Sequence, residues 1–90
     1  MKKKNDDIMS RSTHRSDYQV LRKILLESRK SLGLTQDDLA ERLNTYRSLI
    51  SRVEGGERRI DPIELIYYSE ALNMKPEELF NELLKRLRKK

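Results

Sequence analysis

The sequence predicts an all-α fold, a compact five-helix domain with a flexible N-terminal arm and an extended last helix. Three observations carry that expectation. Apolar residues recur at three- and four-residue spacing in five separate stretches, and no strand-like alternation of useful length intervenes. The stretches are bounded by residues that start or stop helices: Thr35 and Asp61-Pro62 at beginnings, Gly33, Asn44 and Asn73 at ends. Finally, 90 residues without a cysteine leave room for one domain, held by apolar packing rather than by disulfides.

The elements follow in order. Residues 1–16 are polar and nearly free of apolar side chains, which predicts a disordered basic arm. Helix one opens at Ser16 or Asp17 as N-cap and places Leu21, Ile24, Leu25, Ser28 and Leu32 on one face. Helix two spans 35–43; Thr35 and Asp38 form a capping-box pattern, and Leu39, Ala40 and Leu43 point inward. Helix three, 46–54, buries Ile50 and Val53 and leaves Arg47, Ser48, Ser51 and Arg52 outward before Gly55-Gly56. Tyr46 is a poor N-cap, so Thr45 is the better candidate for that role. Helix four begins at Asp61-Pro62-Ile63-Glu64 and is expected to bury Ile63, Ile66 and Leu72, with Tyr67 and Tyr68 at the core edge. Helix five begins at Pro76 and carries an apolar stripe of Leu79, Phe80, Leu83, Leu84 and Leu87. The domain is thus expected over 17–84, with a basic tail at 85–90.

Composition excludes more than it identifies. Charged residues are 39% of the chain and hydrophobic residues 36%, so the core is small. Leu, Ile, Val and Phe still number 23 of 90, roughly a quarter, which is enough for a folded core. Zinc ribbons and thiol catalysis are excluded with cysteine. No apolar run approaches the ~20 residues that cross a bilayer, and no signal peptide is visible. His14 stands alone in the arm, and neither a catalytic triad, paired carboxylates nor a phosphate-binding glycine loop is present. No metal, no cofactor and no enzymatic activity are therefore expected.

The net charge of +5 suggests a polyanionic partner, but its distribution matters more. Residues 1–16 carry +3 and residues 85–90 carry +5, whereas residues 17–84 sum to −3. Within that body, residues 42–59 hold five arginines against two glutamates, and residues 60–84 hold one lysine against six acids. The body is dipolar, with its positive end around helix three.

Helices two and three also form a sharp local constellation. With Gln36 as first position, Ala40 is fifth, Asn44 ninth, Ile50 fifteenth and Val53 eighteenth. A small residue lets two steeply crossing helices touch, a residue tolerant of positive φ makes the turn, and two branched residues fill the wedge. On Leu34-Thr35-Gln36-Asp37-Asp38-Leu39-Ala40-Glu41-Arg42-Leu43, Ser48-Leu49-Ile50-Ser51-Arg52-Val53-Glu54 and Glu57-Arg58-Arg59-Ile60-Asp61, residues 21–80 resemble the Xre-type helix-turn-helix family, which includes the lambda-type repressors and Cro.

That resemblance implies a transcriptional regulator that lays helix three in the major groove of double-stranded DNA. Its base-reading positions fall on Arg47, Ser48 and Arg52, with Tyr46, Leu49 and Ser51 at the edge. Arginine suits the task, since it forks onto O6 and N7 of guanine. Thr35 and Gln36 at a helix N-terminus, with Arg58 and Arg59 beyond helix three, are the expected phosphate contacts. Arg29 and Glu54 match positions that form a structural ion pair in the family. Asn44 and Asn73 stand where glycine is frequent, and Gly55 where a polar or basic residue is frequent.

The stripe of Phe80, Leu83, Leu84 and Leu87 outruns the usual end of such a domain, which suggests a homodimer interface and a pseudo-palindromic operator. A cytoplasmic regulator results. The alternative is an antitoxin-like module whose C-terminal helix masks a partner protein, for which the acidic 60–84 region offers a docking face. A peripheral membrane helix at 79–90 is disfavoured by Glu77, Glu78 and Glu82.

Overall fold

The computed structural model describes residues 16–89. The expected arm, His14 included, lies outside them apart from Ser16, as does Lys90. The chain forms five helices: α1 (Ser16–Ser31), α2 (Gln36–Arg42), α3 (Arg47–Glu54), α4 (Pro62–Ala71) and α5 (Pro76–Arg88), with no strand among the described residues. The all-α architecture read from the sequence is the one observed. Ser16 and Asp17 already lie inside α1, so neither is its N-cap.

Sharp stops make so many helices possible in so short a chain. Each of the first four ends on a residue in the left-handed region: Gly33 (φ 73°), Asn44 (φ 55°), Gly56 (φ 86°) and Asn73 (φ 60°). The following residue then turns its N–H back onto the last turn. Leu34 N donates to Arg29 O (3.2 Å), Thr45 N to Ala40 O (2.9 Å), Glu57 N to Arg52 O (2.9 Å) and Met74 N to Ser69 O (2.9 Å). This repeated Schellman arrangement satisfies carbonyls that a helix end otherwise leaves open. After α1, α2 and α4 it turns the chain within about four residues; α2 then packs on α3 and α4 on α5, while α1 packs on α3 and α5.

Starts are marked as clearly. Asp38 N donates to Thr35 Oγ1 (3.0 Å) while Thr35 N donates to Asp38 Oδ2 (2.8 Å). Asp61 and Glu64 repeat the box at α4, and Lys75 N donates to Glu78 Oε1 (3.0 Å) at α5. The exception is α3. Its N-cap is Tyr46, extended and without a side-chain bond, so the proposed capping by Thr45 is wrong. The Thr45 backbone is already committed to closing α2 through Ala40.

One core joins all five helices: Leu21, Ile24 and Leu25 of α1, Leu39 and Ala40 of α2, Ile50 and Val53 of α3, Tyr68 of α4, Leu72 just beyond it, and Leu79 of α5. Two expectations about inward faces need correction. Ile63 and Ile66 are 60% and 40% exposed, and α4 instead buries Tyr68 and Ser69, with Leu65 packed against the core. Leu65, Tyr68, Ser69 and Leu72 follow helical spacing just as Ile63, Ile66 and Tyr67 do, so α4 has two competing apolar stripes. Only its neighbours decide between them. Leu32, just beyond α1, lies at the surface, and within α1 Arg29 is buried instead.

Candidate nucleic-acid interface

Helix α3 is short, eight residues, and owes its position to packing rather than to intrinsic propensity. Ile50 and Val53 are buried to 0% and 1% exposure and seat one face on the core. Ala40, 4% exposed, lets α2 approach on the same side. The opposite face then points to solvent: Tyr46, Arg47, Ser48, Ser51 and Arg52 are exposed, with Leu49 half-buried at the edge. Neither the Arg47 nor the Arg52 side chain has a hydrogen-bond or ion-pair partner among the described residues. Two guanidiniums on a rigid helix therefore keep all their donors for an external acceptor.

Glu54 holds that helix from below. Its carboxylate accepts from Arg29 Nε (2.6 Å), Arg29 Nη2 (3.0 Å) and Gln36 Nε2 (2.9 Å). Arg29 Nη1 donates to Leu34 O (2.7 Å), and Arg22 Nη1 donates to the Glu54 carbonyl. A single side chain thus ties α3 to α1 and to the start of α2. Hydrogen bonding to Glu54 raises the Arg29 pKa further, against the opposing effect of burial. Nearby, burial raises the pKa of the Tyr68 hydroxyl, with the Glu54 charge adding to it. That hydroxyl is buried without a hydrogen-bond partner among the described residues.

The expected phosphate-side residues divide into different situations. Thr35 caps α2, and the Gln36 amide is engaged by Glu54. Arg59 places its guanidinium 5.5 Å from the Tyr18 ring centroid, a cation–π distance. Arg58 forks onto Glu64, Nη1 to Oε1 at 3.1 Å and Nη2 to Oε2 at 2.8 Å. The Arg58 hydrogen bond, then the Asp61 N–H, hold the Glu64 carboxyl down at about 2.

The loop carrying these arginines is well anchored. Ile60 N donates to Tyr18 Oη (3.1 Å), and both Glu57 N and Arg58 N donate to Arg52 O. Gly56 combines positive φ with close approach, since a Cβ there would lie 3.3 Å from Arg22 Nε. On α5, Leu83 packs against the core and Arg86 pairs with Glu27 of α1, whereas Phe80 is 53% exposed and Leu84 and Leu87 are half-buried.

This geometry, a capped α2, a left-handed turn at Asn44 and an outward α3, is matched by known proteins. Residues 25–79, more than half of the chain, match a helix-turn-helix family model. A solved structure, an XRE-family like protein from Pseudomonas syringae pv. tomato str. DC3000, is 37% identical. It superposes with a TM-score of 0.75, the match covering 79% of this chain and 87% of that one. The chain belongs to the Xre helix-turn-helix family. No curated protein matches. As an Xre-family protein it is a DNA-binding helix-turn-helix regulator.

Sequence reasoning on this Xre protein missed three side chains that build the interface: Arg22, Tyr18 and Glu64. The contacts of Arg22 and Tyr18 span 32 and 42 residues, so no local spacing could reveal them. Glu64 was legible only as half of a capping box, although it does two things at once. No helix of the described residues is long and apolar enough to cross a membrane, and no cluster of potential metal ligands occurs among them.

Proposed function

We propose that the protein is a sequence-specific regulator of transcription that inserts α3 into the major groove of double-stranded DNA, acting in the cytoplasm as a homodimer on a pseudo-palindromic operator. The observation that carries this reading is the outward face of α3. The Arg47 and Arg52 side chains stand there without partners among the described residues while Glu54 fixes the helix behind them. Arg47 and Arg52 read guanine, Ser48 and Ser51 contact base edges or phosphate, and Tyr46 and Leu49 border the reading face. Thr35, Gln36 and Arg59 lie toward the DNA backbone, where backbone N–H groups at the start of α2 and the Arg59 charge meet phosphates.

Charge supports the orientation. The segment from Arg42 to Arg59 is net positive and the segment from Ile60 to Leu84 net negative, so repulsion turns α4 and α5 away from the phosphates. Selection of binding sites from random duplex DNA tests the reading directly. The expected outcome is a site whose guanine preference relaxes when Arg47 or Arg52 becomes Ala, each at a cost of ~1–3 kcal/mol. Equal weakening on every sequence would assign those arginines to phosphate alone, and failure to select any site would remove the proposal.

A further inference from the structure

We infer that Glu64 limits the protein's affinity for DNA by holding the Arg58 guanidinium in an internal fork that competes with backbone phosphate. The inference rests on the DNA-binding reading above and adds a residue, on α4, that has no place in the helix-turn-helix itself.

Arg58 emerges beside the reading face, because its backbone N–H donates to Arg52 O at 3.1 Å. Its two terminal nitrogens are both spent on Glu64, and Nη1 also donates to Arg59 O (2.9 Å). Arginine meets phosphate through the same two-pronged edge, so the carboxylate and a phosphate are exclusive occupants of one site. The acceptor does not drift, since Glu64 Oε1 also accepts the Asp61 N–H (3.0 Å) in the α4 capping box. Both side chains remain partly open to solvent, at 35% and 41% exposure, so an incoming anion can contest the fork.

A purely structural role is the competing explanation, in which the pair pins the loop between α3 and α4. That loop is already held elsewhere. Ile60 N bonds Tyr18 Oη, Glu57 N and Arg58 N bond Arg52 O, and Gly56 seats on Arg22. What the pair does change is charge: it neutralises one of the five arginines that make the reading end positive.

Glutamine is the informative replacement. It keeps the capping-box acceptor at the third helical position and removes the charge that retains Arg58. Binding of full-length protein to a selected duplex, titrated across a range of salt, supplies the readout. Glu64→Gln should bind tighter, by up to about fivefold at low salt, the upper range for an exposed ion pair. Its log–log salt slope should steepen by about one, the signature of one more phosphate contact. Arg58→Gln should leave the slope of the otherwise native protein unchanged and cancel the gain when combined with Glu64→Gln.

Two results would overturn the inference: a Glu64→Gln protein with intact cooperative melting and an unaltered slope, or an Arg58→Gln protein whose slope falls by about one. The second stands even if Glu64→Gln unfolds. A native protein that binds no duplex sinks the DNA-binding reading itself, a separate failure.

Discussion

At the scale of single residues, Glu54 organises more of the proposed interface than any side chain on the exposed face of α3. It is 7% exposed, and its carboxylate is satisfied by three donors from two elements. Breaking such a pair strands the remaining charge in a poorly solvated place. Arg29→Ala should therefore cost about 3–5 kcal/mol in urea unfolding, whereas replacing Arg29 by Met together with Glu54 by Leu should cost less than Arg29→Ala alone. Additive losses would show that the carboxylate is solvated or paired elsewhere. The pairing of Arg29 with Glu54 came from family resemblance and not from composition, since nothing local links residues 25 positions apart. The proposed readers on the exposed face of α3 were easier. Their spacing along a short helix with Ile50 and Val53 behind them defines the outward face by itself.

At the scale of elements, most helix boundaries were written in the sequence because they are set locally, whereas the starts of α1 and α3 were misread. Thr35 with Asp38, Asp61 with Glu64, and the left-handed Asn44 and Asn73 act through neighbours within a few positions. The inner face of α4 was not legible, because Ile63-Ile66-Tyr67 and Leu65-Tyr68-Ser69-Leu72 satisfy one helical period equally well. The Arg58 fork and the boxes also make the fold acid-sensitive. The Arg58 hydrogen bond, then the Asp61 N–H, hold Glu64 at about 2 against an ordinary 4.5, and the Thr35 N–H lowers the Asp38 pKa. Carboxyls depressed in the folded state contribute stability that is fully present above about pH 4.5 and is lost as pH falls toward 2. The urea midpoint should drop through that window, and Glu64→Gln should flatten the drop. A midpoint independent of pH there would mean that neither the Arg58 fork nor the boxes contribute in solution.

At the scale of the whole molecule, an apolar face lies without an internal partner among the described residues. Ile63, Ile66 and Phe80 are 60%, 40% and 53% exposed, and the α4–α5 groove beside them, about 520 Å³, is lined by Ile60, Pro62, Leu65, Ile66, Pro76, Glu77 and Phe80. The proposed homodimer would place this patch at its twofold axis, with Leu84 and Leu87 extending it and Leu83 retained by the core. Sedimentation should then give a dimer at micromolar concentration that Phe80→Glu converts to a monomer. Because residues 60–84 are net negative, the dimer should tighten with added salt, opposite to DNA binding. A native monomer at high micromolar concentration would count against the dimer, and co-purification of a second small protein would move this face to the antitoxin-like alternative.

The clasp at Glu54 has a consequence for modularity. Helices α2 and α3 are seven and eight residues long, well below the length at which a helix is stable alone in water. Two of the three donors to the Glu54 carboxylate come from Arg29 in α1, as does the Arg22 bond to its carbonyl. A peptide cut at Leu34 and Gly55 would keep every letter of the reading face and lose the posture that lets it read. On the proposed reading, recognition is not a motif that can be transplanted. It belongs to the first forty residues of the described chain acting together, with α1 setting the helix proposed to face DNA.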